Sequence, residues 1–366
     1  MSQQQNLEQD QEQDIIVSVA DGVGRIMLNR PKALNALTLD KIRVMDKALR
    51  AWATDDAVHC VIIEGAGDKA FCAGGDIRKL YDAGKAGDTA FLSAFFGEEY
   101  RLNRLIKTYP KPYVALMDGI TMGGGVGVSV HGSHRVCSER TVFAMPETGI
   151  GMLPDVGGTY FLPRLPGAIG MYLALTGARM KAADCLYTGV ATHFVPHERH
   201  KELLAALCEA ERNASTPEDM QTAVTCVLDM FYEEPGAAAL AVQRDRINRC
   251  FSGASVDEIF ANLEREEGEW AEMTLATLRA KSPTALRVAF RQMQVGAQLD
   301  FDRCMQIEYR LSQRLAGSPD FLEGVRAVIV DKDNAPRWDP ATLADVDPAE
   351  VDALFAPLPD GDLSFD

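Results

Sequence analysis

The sequence predicts an α/β protein whose last third is helical, and three observations carry that prediction. Short apolar runs bounded by turn residues alternate with helix-period segments up to about residue 200. Strand signals nearly vanish from about Glu198 onward. Two glycine-rich clusters each follow a predicted strand and open toward a helix. Such alternation places helices over the faces of a sheet. The chain is accordingly divided into a disordered tail (1–13), an α/β core (14–200) and a mainly helical region (201–366).

The tail, MSQQQNLEQDQEQD, is rich in Gln and acid and is the one low-complexity segment. Ile15–Val19 and Gly24–Leu28 flank Asp21-Gly22, a pair suited to the positive φ of a tight turn, and predict a hairpin. Thr38 can cap a helix with Ile42, Met45, Leu49 and Trp52 on one face. His59–Ile63, ending at Glu64-Gly65, predicts a buried strand, so the order begins β-β-α-β. Tyr113–Met117 predicts a strand, Gly123–Val130 a helix and Val142–Met145 another strand. Further on, Val256–Arg279 and Phe301–Leu315 carry helical periodicity, while Val325–Val330 fits helix or strand.

Composition narrows the function. A formal charge of -16 argues against nucleic acid or an anionic membrane surface as partner, although a local cationic pocket for a phosphate-bearing ligand is compatible with it. No stretch reaches the roughly 20 apolar residues that span a bilayer. The eight cysteines are scattered without a CxxC pair, and the histidines form no HExxH motif, so no metal is expected. Reduced thiols, and a tail lacking secretory or mitochondrial leader character, point to a cytoplasmic setting.

The chemistry concentrates in the glycine clusters Phe71-Cys72-Ala73-Gly74-Gly75-Asp76 and Met122-Gly123-Gly124-Gly125-Val126-Gly127. Each leaves main-chain N–H groups unshielded at a helix entry. Two such donors converging on one carbonyl oxygen would form an oxyanion hole. Tight turns and close helix packing use the same residues, and that reading stays open. Val128 stands where a dinucleotide fingerprint needs its third glycine, and no phosphate loop of the GxxxxGK type is present. There is no GxSxG elbow for Ser129 or Ser133, and Cys72 reads as a small core residue.

These clusters, with Asn29–Leu37 before them and Lys111-Pro112 and Asp118-Gly119-Ile120 between them, resemble the successive signatures of the crotonase (enoyl-CoA hydratase/isomerase) superfamily. A closer likeness, to the 3-hydroxyisobutyryl-CoA hydrolases within it, rests on Phe95–Tyr100, Met122–Val130, Met145–Thr148, Pro154–Gly158 and Glu323–Ala327 followed by Asp331–Asp333. It spans roughly residues 15–340. The resemblance implies a spiral of β-β-α units and a thioester carbonyl held by the amides of Gly75 and Gly124. It also implies that Lys32, Ala33, Asn35, Ala73, Gly74 and Asp76 line the path of coenzyme A.

Hydratases of that superfamily carry the first of two catalytic glutamates two positions beyond the triple glycine; here that position is Gly127. The second carboxylate is retained as Glu147, and Asp155 follows eight residues later where hydratases commonly have glycine. The resemblance therefore implies hydrolysis of a short 3-hydroxyacyl-CoA, with Glu147 as general base or nucleophile, Asp155 orienting water or substrate, and Glu99 contacting the substrate. An ordinary glutamate is ionised at neutral pH, so Glu147 is expected to need no tuning. Double-bond hydration or isomerisation by Glu147 alone, and catalytically silent acyl-CoA binding, are the alternatives. No cofactor beyond the substrate's own coenzyme A is expected. For self-association, superfamily trimers and a monomer or dimer favoured by the long helical C-terminus remain open.

Overall fold

The structure, a computed structural model, describes residues 13–211 and 217–365. Of the expected tail only Gln13 is among them; the rest lies outside the described residues.

β1 (Ile15–Ala20) and β2 (Val23–Leu28) form the expected hairpin, with Ile15 opposite Leu28 and Ala20 opposite Val23. Asp21 and Gly22, at φ of 48° and 72°, supply the two left-handed positions that a two-residue turn requires. The next strands in chain order are β3 (Cys60–Gly65), β4 (Ala70–Cys72), β5 (Tyr113–Met117), β6 (Ile120–Met122), β7 (His134–Cys137), β8 (Val142–Ala144) and β9 (His193–Phe194). They build a six-stranded sheet in the order β1-β2-β3-β5-β7-β9 and a three-stranded sheet β4-β6-β8. From β2 onward the larger sheet is parallel. Strands β3, β5 and β7 are each followed directly by a strand of the smaller sheet, so each turn of chain adds to both. That alternation is the expected spiral. The short strands β4, β6, β7 and β9 are additions, since two to four residues give too little periodicity to read.

Thr38 caps the helix Leu39–Ala53, its side chain accepting from the Lys41 amide, and Ile42, Met45, Leu49 and Trp52 are buried as their spacing predicts. Each such side chain stabilises the fold by about 1.5–3 kcal/mol. The predicted Gly123–Val130 helix forms only over Gly124–Gly127. After Phe194 the described residues contain no strand. Val256–Arg279 divides at Gly268 into the helices Val256–Arg265 and Glu269–Arg279. Phe301–Leu315 is helical as predicted, and the ambiguous Val325–Val330 closes one helix and continues as the π-helical turn Arg326–Val330.

The chain groups into two compact units, each assembled from three segments. The first comprises Met1–Gly75, Leu102–Phe143 and Met180–Ala238. In its core, Val23, Ile62, Val114, Leu116 and Val136 from the large sheet meet Leu203, Leu207, Val224 and Leu228 from two helices. The second comprises Asp76–Arg101, Ala144–Arg179 and Ala239–Asp366, and apart from Ala144 at the end of β8 its regular structure is helical.

Candidate active site

In the second unit four carboxyl side chains are buried close together: Glu99, Glu147, Asp155 and Glu308. Glu147 opens the 3-10 turn Glu147–Ile150 directly after Pro146. Asp155 precedes two left-handed residues, Val156 at φ 48° and Gly157 at φ 93°. A β-branched residue in that region is strained, so the surroundings must hold the turn. They do so through Glu308, whose two carboxyl oxygens accept from the amides of Gly157 (2.7 Å) and Thr159 (2.8 Å). Gln292 adds bonds to the Pro154 carbonyl and the Thr159 hydroxyl. Asp155 itself accepts from the Tyr100 hydroxyl at 2.7 Å, and that hydroxyl also bonds Ser312 at 2.5 Å.

Removal from water disfavours a charged carboxylate, and neighbouring carboxylates add to the penalty. Burial, then the charge of Asp155, therefore holds both Glu99 and Glu147 well above the usual carboxyl range. The ammonium of Lys281 opposes the shift on Glu147, while burial lowers Lys281 itself. Asp155 is pushed up to about 6 by burial, against the lowering effect of the Tyr100 bond. Glu308 is pushed up to about 8 by burial and then by Asp155. The expectation that Glu147 is ionised without tuning is thus corrected, because its burial could not be read from sequence. Oε1 of Glu99 and Oε2 of Glu147 are buried with no hydrogen-bond partner among the described residues. Such atoms are costly unless something else meets them, which makes this cluster the candidate site.

The glycines of both clusters lie in the first unit. Because β4 and β6 are parallel neighbours, their C-terminal ends put the two following loops side by side. Gly123 adopts φ 48° and ψ −124°, open to glycine alone, and a Cβ on Gly125 would lie 2.1 Å from the Cys72 carbonyl oxygen. A Cβ on Gly74 would stand 3.9 Å from the Gly124 nitrogen. Neither the Gly75 nor the Gly124 amide donates a hydrogen bond among the described residues.

The loop around Lys32–Asn35 is tied to the first glycine cluster through Ala73 N to Leu34 O and Leu37 N to Gly74 O. Ala33 closes the short turn Pro31–Ala33 there. Lys32, Asn35, Asp68 and Lys69 line a groove of about 230 Å³. The Asn35 side chain is committed to the Ala66 and Ala70 carbonyls and the Arg30 amide, so it holds the loop in place. Asp76 caps the helix Ile77–Ala86, accepting from Lys79. Sequence reasoning missed Lys281, Gln292, Glu308 and Ser312 and took Tyr100 only as part of the Phe95–Tyr100 likeness; Lys281 lies between two helices, and Gln292, Glu308 and Ser312 carried no signal beyond helical spacing. The histidines were weighed in the sequence only for an HExxH motif; in the structure Asp118, His197 and His200 bring ligand-type atoms within 4.8 Å of one another. There Arg140 pairs with Asp118, and both His197 ring nitrogens are engaged, by Asp118 and Arg140. Arg310 pairs with Asp362, and Arg326 with Glu323, Asp331 and Asp333.

A sequence model of the enoyl-CoA hydratase/isomerase family matches residues 23–355. The chain belongs to that family. Within it, the chain is 48% identical over 357 residues to the mitochondrial 3-hydroxyisobutyryl-CoA hydrolase of Danio rerio, covering 96% of this chain and 92% of that protein. It is 44% identical over 361 residues to the Homo sapiens protein of the same name, covering 97% and 92%. Among solved structures of the family, a carnitinyl-CoA dehydratase from Mycobacterium thermoresistibile superposes with a TM-score of 0.89 at 43% identity, covering 97% of this chain and 99% of that one. An enoyl-CoA hydratase from Rhodobacter sphaeroides 2.4.1 gives 0.88 at 42% identity, covering 96% and 100%. The hydrolase relatives are named as mitochondrial proteins, which overturns the cytoplasmic expectation. Unpaired thiols fit any reducing compartment and could not choose between them. No helix among the described residues is long and apolar enough to cross a membrane.

Proposed function

We propose that this member of the family hydrolyses a short 3-hydroxyacyl-CoA thioester, converting 3-hydroxyisobutyryl-CoA to 3-hydroxyisobutyrate and free CoA in valine breakdown. The observation that carries the reading is the pairing of Glu147 with Asp155 in one buried carboxyl cluster, with Gly127 in place of the first hydratase glutamate. The names of the relatives at 44–48% identity support the substrate.

In this proposal the uncommitted amides of Gly75 and Gly124 donate to the thioester oxygen, most strongly as it gains negative charge. Glu147 either takes a proton from an attacking water or attacks the carbonyl carbon itself, giving an anhydride that water then opens. The C–S bond breaks and sulfur leaves as CoA thiolate, which takes up a proton. The burial that raises Glu147 also strengthens it as a base once ionised, and Lys281 supports that ionised state. Asp155, held by Tyr100, orients the water or the substrate hydroxyl, and Glu99 is the third polar contact. The loops at Lys32–Asn35 and Ala73–Asp76 receive the CoA chain, and no further cofactor enters the reaction.

A second reading, hydration of an enoyl-CoA, is favoured by the names of the two solved relatives. A thiol-release screen over short acyl-CoAs with and without a 3-hydroxyl separates the two. Hydrolysis liberates thiol from 3-hydroxyisobutyryl-CoA. Loss of enoyl absorbance from crotonyl-CoA, with no thiol released from any substrate, would establish hydration instead.

A further inference from the structure

The proposed mechanism makes no use of Glu308, the most deeply buried of the four carboxyls at 0% exposure. Burying an acid is costly unless it is well bonded, and both oxygens of this one are spent on the amides of Gly157 and Thr159. Those amides come one and three residues after the strained Val156, in the turn that Asp155 opens. Four residues further along the same helix, Phe301–Leu315, Ser312 bonds the Tyr100 hydroxyl, which in turn donates to Asp155. Residues at that spacing share a helix face. One face thus braces Asp155 twice, through its backbone turn and through its hydrogen-bond donor.

We infer that Glu308 is a positioning residue: by clamping the Gly157 and Thr159 amides it fixes where the Asp155 carboxyl points. A simpler role is available, since the short helix Gly158–Phe161 leaves early amides that any acceptor would satisfy. In that case Glu308 would affect stability alone. The inference rests on the proposed part of Asp155 in hydrolysis, so the test must separate the two.

The experiment is a double-mutant cycle in the full chain, reading kcat and KM for thiol release from 3-hydroxyisobutyryl-CoA. The proteins are wild type, Asp155→Asn, Glu308→Gln and the double variant, with rates referred to folded enzyme by near-UV circular dichroism. Glutamine keeps the shape and one acceptor but turns its NH2 toward the other amide, so it unpairs one buried amide where Glu308→Ala would unpair two, and the folded fraction is read for every variant. Glu308→Gln is expected to lower kcat by about tenfold with KM changed less than about threefold, because misplacing a reacting group costs rate more than binding. In the Asp155→Asn background the same change should cost less than about twofold. Full multiplicative loss in the double variant, or a Glu308→Gln rate that falls only with the folded fraction, would overturn the positioning role. Asp155→Asn at the wild-type rate would instead remove the mechanistic assignment of Asp155, and the inference with it.

Discussion

Replacing Asp155 with Asn should make the protein more stable, and increasingly so as the pH rises. The folded protein holds this carboxyl at about 6, against an ordinary 3.8, because burial penalises its charge. A raised folded-state value means that the native state binds the proton more tightly than the unfolded chain. The resulting stability is fully present below about pH 4 and is lost as the pH passes through about 6. A difference of about 2.2 units corresponds to about 3 kcal/mol, of which about half is lost between pH 5 and pH 8. Asparagine does not titrate and can still accept from Tyr100. Urea unfolding of both proteins at pH 5 and pH 8 should therefore show the variant's advantage growing by about 1.5 kcal/mol toward pH 8. An advantage that is constant or shrinks with pH would refute the assignment of Asp155 as a carboxyl raised by burial.

Two further outcomes follow from the geometry. If hydrolysis needs Asp155 ionised, kcat should rise through an acid limb near pH 6. Tyr100→Phe, which removes the bond that lowers Asp155, should move that limb to higher pH in a pH–rate profile, and an unmoved limb would detach it from Asp155. Gly125→Ala would set a methyl 2.1 Å from a backbone oxygen that cannot step aside, so a loss above about 3 kcal/mol and little folded protein are expected in thermal melts. A soluble variant with a wild-type melting temperature would contradict the close approach of the two glycine loops.

What could be read from the sequence was what is local. The Asp21-Gly22 turn and the Thr38 cap announce themselves within four residues, and both form as expected. The glycine clusters and the Glu147/Asp155 pair were visible as motifs. Their setting was not: Glu308 and Ser312 come more than 150 residues after Asp155 and Glu147 and carry only helical periodicity. The same gap explains the reversal for Glu147. Its ionisation depends on burial beside Asp155 and Lys281, and no spacing rule states which distant helices will cover a residue. Strands as short as β4 and β6 escaped notice because tertiary pairing, rather than propensity, makes them strands.

The central claim is that the Glu147 carboxyl drives cleavage of the thioester. It is tested most directly by following CoA thiol from 3-hydroxyisobutyryl-CoA with wild type and with Glu147→Gln, which keeps size and burial but removes the base and the nucleophile. The account predicts release by the wild type and a loss of at least about a thousandfold in kcat for the variant, with folding intact. Turnover by Glu147→Gln at the wild-type rate would contradict it.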